Sequence, residues 1–237
     1  MTDNPLTING TTLVRCAEDA CGDIKIPDGV ECIENSAFES CKTIDSVEIP
    51  DSVTKIEDNA FVECKNLMHV RLPQNGSLEL GDCIFLNCAE LVEIDIPDGV
   101  RVIPYGMFEG CSWLRRVTIP DSVTKIEGWA FCGCRGISHI DIPNSVGTIG
   151  DFAFGSCHSL SGIRIPNSVT TIKDGFLCEC KQLQEIHFER KGLKSVKWAD
   201  EILEGVDKVK CTIFVPKGTK EKYREYPAFE GFKIVEE

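Results

Sequence analysis

The sequence predicts a β-rich solenoid. It would be a stack of short coils with one parallel sheet along one face, short turns, strands and single helical turns on the other, and a cap at each end. Three observations predict it. An Ile-Pro or Leu-Pro step opens at Ile26, Ile49, Leu72, Ile96, Ile119, Ile142 and Ile165, with Phe188 next in line, at intervals of 23, 23, 24, 23, 23, 23 and 23. Seven cysteines, Cys41, Cys64, Cys88, Cys111, Cys134, Cys157 and Cys180, share one position of that repeat. Within each unit the apolar residues alternate as in strands or cluster as in tight turns.

Residues 1–25 read as an N-terminal cap. Asn9-Gly10 is a two-residue hairpin turn flanked by Thr7-Ile8 and Thr12-Leu13-Val14. A hairpin there would cover the first coil, whose strand edges and apolar column otherwise face water. Residues 26–188 hold seven units, and Ile119–Asp141, IPDSVTKIEGWAFCGCRGISHID, shows their three parts. Pro120 and Asp121 make a bend, and Val123 and Ile126 point inward from the short strand after it. Ala130-Phe131-x-x-Cys134 recurs as Ala37-Phe38, Ala60-Phe61, Ile84-Phe85, Met107-Phe108, Ala153-Phe154 and Phe176-Leu177, a spacing that suits one turn of helix with Phe and Cys buried. Ile137, Ile140 and Ile142 mark a closing strand, and such strands stacked in parallel predict one continuous sheet. The interval of 24 falls at Pro73-Gln74-Asn75-Gly76-Ser77, where one extra residue can bulge out.

Residues 189–216 read as a degenerate eighth repeat. Ile202-Leu203-Glu204-Gly205-Val206 mirrors Met107-Phe108-Glu109-Gly110-Cys111, with Val206 in the cysteine position, and Val209, Ile213 and Val215 repeat the closing strand. Residues 217–237 form a C-terminal cap: a short helix from Thr219 to Tyr226 stopped by Pro227, Phe229 and Phe232 as apolar lids, and an edge strand from Phe232 to Val235.

The net charge of −13 narrows the possible partners. Residues 188–237 carry eleven Lys and Arg against ten Asp and Glu, which leaves −14 on residues 1–187. Such a surface repels phosphate backbones and argues against nucleic acid. No apolar run approaches the roughly 18 residues of a membrane span. The N-terminal MTDNPLTING lacks the apolar segment of a signal peptide, so the expected location is the cell surface or outside the cell if an upstream signal has been removed, and the cytoplasm otherwise. The cysteine column reads as small buried apolar residues with reduced thiols, and Cys16 with Cys21 is a pair that export would allow to close.

The unit from Ile49 to Pro73, IPDSVTKIEDNAFVECKNLMHVRLP, follows the pattern IPxSVxxIxxxAFxxCxxLxxIxIP. That pattern resembles the leucine-rich repeats of the BspA-like family of bacterial surface proteins. The final stretch, CTIFVPKGTKEKYREYPAFEGFKIVEE, is similar to the end cap that such repeats carry in gut and oral Bacteroidetes. The resemblance implies a right-handed solenoid of the α/β leucine-rich-repeat class. It also implies a surface or secreted role in adhesion and protein binding, with no catalytic residue.

Strand alternation places two columns of side chains on the outer face of the sheet. One contains His69, Glu93, Arg116, His139 and Glu185, and the other contains Arg71, Asp95, Asp141, Arg164 and His187. Arg71 is expected between Glu48 and Asp95, and Arg164 between Asp141 and His187, as cross-strand pairs on a broad face of mixed charge. His69 and His139 are three coils apart, about 15 Å at roughly 5 Å per coil, which excludes shared metal ligation or a nucleophile and its base. Cys132-x-Cys134 and Cys178-x-Cys180 have the look of zinc half-sites but lie two coils apart. The turn acids Asp28, Asp51, Asp98 and Asp121 are accounted for by the bends they make. Trp129 and Phe152 share a repeat position held elsewhere by Ser36, Asn59, Cys83, Gly106 and Gly175, and Tyr105 is one residue off it. These three aromatics are a second candidate interface. With no constellation for catalysis, metal or cofactor, the chain reads as a monomeric, non-enzymatic solenoid. Its expected partner is a protein of a host or bacterial surface, and an intracellular structural scaffold is the alternative.

Overall fold

Three lines of backbone hydrogen bonds run along the stack of coils, and the apolar side chains between those lines form the core. The computed structural model describes residues 4–191, 197–199 and 201–237. The first line is the broad face. Cys21–Lys25, Thr43–Glu48, His69–Arg71, Glu93–Asp95 and Arg116–Thr118 form one parallel sheet, and Gly162–Ile165, Glu185–Phe188, Thr212–Val215 and Lys233–Glu236 form another. Pairing is in register, with Ser46 beside His69, His69 beside Glu93 and Glu93 beside Arg116. The continuous sheet expected from the repeat is therefore interrupted at residues 137–142, which run without ladder pairing. Gly136 opens this segment where other units carry Thr43, Asn66, Glu90 or Trp113. Its backbone presses against the previous coil, so that a Cβ would lie only 2.8 Å from the Leu114 carbonyl oxygen.

The second line is a narrow ladder of two-residue strands on the opposite side. It starts at an antiparallel hairpin, Leu6–Asn9 with Thr12–Cys16, and continues in parallel through Cys32–Ile33, Lys55–Ile56 and Glu79–Leu80. Asn9 pairs with Thr12, so the loop is Gly10-Thr11, one residue later than the sequence suggests, with Gly10 supplying the positive φ. The ladder then breaks and resumes as Val102–Ile103, Lys125–Ile126, Thr148–Ile149, Thr171–Ile172 and Lys197–Trp198. The break has a chemical cause. Glu57, Gly81, Glu127, Gly150 and Lys173 each donate their N–H to the coil before, and the equivalent residue in the fourth unit is Pro104, which has none.

The third line runs through the segments expected to be single helical turns. They are consecutive β-turns in which two residues per coil adopt left-handed φ, such as Ser36 and Ser40, Asn59 and Glu63, or Trp129 and Gly133. Turned this way, alternate N–H groups point along the stack. Ser36, Phe38 and Ser40 donate to Asp58, Ala60 and Val62, and the pattern repeats down to Leu177 and Glu179, which donate to Ile202 and Glu204. A Phe-x-x-Cys spacing fits a helical turn and a pair of β-turns equally well. The inter-coil bonds favour the β-turns because a helical turn would spend the same groups within its own coil.

Inside, Phe38, Phe61, Phe85, Phe108, Phe131 and Phe154 stack as a column with centroids 4.6–5.7 Å apart. Phe176 ends it edge-on at 5.8 Å, because the Phe-Leu order is reversed in that unit. The cysteine column is more than apolar filler. Cys64, Cys88, Cys111, Cys134, Cys157 and Cys180 donate their Sγ–H to the carbonyls of Phe38, Phe61, Phe85, Phe108, Phe131 and Phe154 at 3.0–3.3 Å. The carbonyls of Phe38, Phe61, Phe85, Phe108 and Phe131 already accept an N–H within their own turns, so the thiol fills the second lone pair. All fourteen cysteines are free thiols, Cys16 and Cys21 included. The serine of the Ile-Pro-x-Ser step has a similar role, since Ser52, Ser122 and Ser145 donate to Val30, Val100 and Val123.

At the C-terminal end the helix is Lys220–Arg224, followed by a 3-10 turn at Pro227–Phe229. Phe229 is buried and Phe232 half-buried, but the largest lid is Tyr223. It is wholly enclosed, packs on Phe188 and Phe229, and donates its hydroxyl to the Arg190 carbonyl. Lys233–Glu236 pairs in parallel with Thr212–Val215. Val209, expected to point inward, is 95% exposed, because Asp207 Oδ1 accepts the N–H groups of Val209 and Lys210 and turns the chain outward. Cys211, Ile213 and Val215 fill the core of this coil.

Candidate functional site

Two surfaces carry the candidate residues, and the pleat of the broad sheet builds the first. Residues alternate in and out, so His69, Arg71, Glu93, Asp95, Arg116, His139, Asp141, Arg164 and Glu185 are exposed. His187 is not. Its ring lies flat on Phe214 with centroids 4.5 Å apart, and its nitrogens reach Glu237 at 2.9 Å and Glu185 at 3.4 Å. The ion pairs differ from simple cross-strand alternation. Arg71 reaches into the turn, donating to Asp51 Oδ1 at 3.1 Å and to the Ile49 carbonyl at 3.0 Å, while Glu48 pairs with Lys25. Arg164 turns towards the C-terminus and meets Glu189 at 3.3 Å and Glu237 at 4.0 Å, leaving Asp141 to His139 at 3.0 Å. Arg116 keeps to the cross-strand pattern, gripping Glu93 at 2.7 Å and Asp95 at 3.6 Å, as does Lys25 with Glu48 at 3.4 Å. The guanidinium is long enough to satisfy a carbonyl and a carboxylate together, and that outcompetes a single rung. The Gln74 N–H and Arg71 hold the Asp51 carboxyl below its ordinary range.

The same face is not flat. One open depression of about 330 Å³ is lined by His69, Arg71, Glu93 and Asp95. Another, of about 380 Å³, brings together His139, Arg164, Glu185 and His187 around the bare backbone of Gly162. Among the described residues no group of three or more His, Cys, Asp or Glu is arranged to hold a metal ion. Cys132 and Cys178 are nearer than the coil count suggests, since a Cβ on the intervening Gly155 would lie 3.6 Å from one sulfur and 3.1 Å from the other. Their partners Cys134 and Cys180 are committed to backbone carbonyls. Burial pushes the Cys132 and Cys180 thiols up to about 12, far from the range of a reactive thiolate.

The second surface lies on the turn side. Trp129 and Phe152 are half-buried and stack with centroids 4.8 Å apart, and Tyr105 is 45% exposed. Trp129 and Phe152 hold φ of 60° and 54°, the left-handed region that disfavours bulky side chains. Residues suited to that region at the same position, Asn59, Gly106 and Gly175, were the available sign of it, although polar character there reads more readily as exposure. Phe152 leans one coil forward, into the space a side chain on Gly175 would need.

The comparisons with known proteins agree with this geometry. The chain matches the model of the BspA type leucine rich repeat region in six copies, over residues 16–135 and 114–199. It is similar in structure to a leucine rich cell surface protein from Faecalibacterium prausnitzii, with a TM-score of 0.54 at 22% identity, covering 100% of this chain and 94% of that one. It is also similar to a leucine-rich repeat protein from Eubacterium ventriosum, with a TM-score of 0.52 at 20% identity, covering 83% of this chain and 60% of that one. No curated protein matches it. The chain is a solenoid repeat protein and belongs to the BspA-type leucine-rich repeat family.

Proposed function

We propose that this protein is a non-catalytic, monomeric binding module that engages a protein of a host or bacterial surface through its broad sheet face, as a surface or secreted adhesion protein. The observation that carries the reading is the preorganised charged face, on which His69, Arg71, Glu93 and Asp95 line one depression and His139, Arg164, Glu185 and His187 line another. Side chains already fixed by Arg116–Glu93 and Arg164–Glu189 pairs lose little freedom on binding, and the mixed charge selects partners more than it adds affinity. The cell surface protein from Faecalibacterium prausnitzii supports the location by its description alone. The test is a pull-down from host and bacterial surface extracts with the wild-type chain and with a variant carrying His69→Ala, Arg116→Ala, His139→Ala and Arg164→Ala. Specific capture by the wild type and about tenfold weaker capture by the variant is expected; equal capture by both rejects the sheet face.

An intracellular scaffold is the second reading, favoured by fourteen free thiols, a composition suited to reducing surroundings. Fractionation of the native cell with protease shaving separates the two.

A further inference from the structure

The turn side holds an unfilled slot in front of Trp129. Side chains in this column lean one coil towards the C-terminus, with Cys83 Sγ over Gly106, Trp129 over Phe152 and Phe152 over Gly175. Gly106 puts no side chain of its own in front of Trp129; a Cβ there would press on Cys83 Sγ at 2.9 Å and stand 3.5 Å from Glu109 Oε2. The far face of the Trp129 ring is covered by Phe152, so its near face borders the slot. Tyr105 forms the side wall, its ring 3.5 Å from where Gly128 would carry a Cβ.

The charge around this slot is mostly negative. Glu109 is half-buried, and among the described residues its carboxylate has no hydrogen bond or ion pair. Burial raises it above the ordinary carboxyl range, and no cation neutralises it. Burial pushes the Tyr105 hydroxyl up, and the charges of Glu109, Asp82 and Asp151 add to it, Asp151 being itself paired with Lys173 at 3.2 Å. An unpaired carboxylate beside an open indole face lacks a cation that is planar on one side and a hydrogen-bond donor on the other. A guanidinium meets both demands, stacking on the ring while its N–H groups reach the carboxylate. Backbone strain is a separate indication. Trp129 and Phe152 occupy a left-handed position that Ser, Asn or Gly fill elsewhere, and strain of this kind collects where a side chain is needed for contact.

We propose that the slot between Gly106 and Trp129, walled by Tyr105 and closed by Glu109, receives an arginine side chain from a protein partner. The inference rests on the protein-binding reading and names a second point of contact, on the turn side of the coil. The probe is a fluorescein-labelled (Gly-Arg)4 peptide titrated into the full chain and followed by anisotropy. Trp129→Ser and Glu109→Gln are each expected to weaken binding about tenfold, with serine tolerated at this position as Ser36 shows. Glu90→Gln, which removes an exposed charge elsewhere, should leave affinity unchanged. A peptide with citrulline in place of arginine should bind about tenfold more weakly. Equal affinity for Trp129→Ser, Glu109→Gln and the wild type overturns the slot, and a (Gly-Lys)4 peptide that binds as tightly as the arginine peptide overturns the guanidinium. The pull-down separates this from the broader reading: a partner kept by Trp129→Ser and lost by the sheet-face variant rejects the slot and leaves the sheet face standing.

Discussion

At the scale of single residues, position in the coil decides what a side chain contributes, and residues of the same type diverge. Phe131 and Phe152 are both phenylalanines one turn apart, yet Phe131 is fully buried in the column while Phe152 is half-buried at φ 54°. Phe131→Ala should cost about 3–5 kcal/mol in denaturant unfolding, the usual result of a large cavity. Trp129→Gly should change stability by less than about 1 kcal/mol, because relief of left-handed strain worth roughly 1–2 kcal/mol offsets the lost stacking. The thiols make a second prediction. Burial raises Cys180 from its ordinary value of 9.0 to about 12, and Cys134 and Cys157 rise as well. A buried thiol stays neutral at pH values where the unfolded chain has already ionised, so its contribution is whole below pH 9 and is lost as pH climbs towards 12. Chemical denaturation at pH 8 and pH 10 should show a fall of about 1.4 kcal/mol per thiol per unit above 9, and a flat profile would refute it. The inward residues were legible from spacing alone: Val123, Ile126, Phe131, Cys134 and Ile140 are all buried. Glu109 was not, because nothing in its spacing tells an unpaired carboxylate from the solvated glutamates around it.

At the scale of the element, the strands are so short that single residues govern their ladders. Pro104 interrupts the narrow ladder because it has no N–H, so Pro104→Glu, the residue found at the equivalent Glu57 and Glu127, should restore a bond to the neighbouring coil. The expected gain is about 0.5–1.5 kcal/mol, with residue 104 acquiring a slowly exchanging amide in hydrogen-exchange measurements. Gly136→Ser should have the opposite effect, costing about 1–3 kcal/mol, because a Cβ there meets Leu114 and Trp113 backbone at 2.8–3.1 Å. The repeat itself showed where strands would lie, but not these interruptions. A break in a ladder depends on what one coil offers the next, and the period is blind to that. Apolar spacing predicts helical turns for a related reason, since it reports which side chains go in and says little about where the N–H groups point.

At the scale of the whole molecule, stability is the sum of neighbour contacts, and the ends have contacts on one side only. Removing residues 217–237 would bare Phe188 and Ile213, which Tyr223, Phe229 and Lys233–Glu236 now cover. The truncated chain should lose solubility and become oligomeric in light scattering, whereas the full chain should run as a monomer. Across the whole stack the three lines of hydrogen bonds fail in different places. The narrow ladder stops between Leu80 and Val102, the broad sheet stops between Thr118 and Gly162, and the turn-side ladder crosses both gaps through Cys83, Phe85, Asn87, Trp129, Phe131 and Phe152. Mechanically this is a rod with a keel. Bending opens each scored side while the turn side keeps its length, so Tyr105, Trp129 and Phe152 sit on the least extensible line of the molecule, and a partner held there would keep its spacing however the rest of the rod flexed.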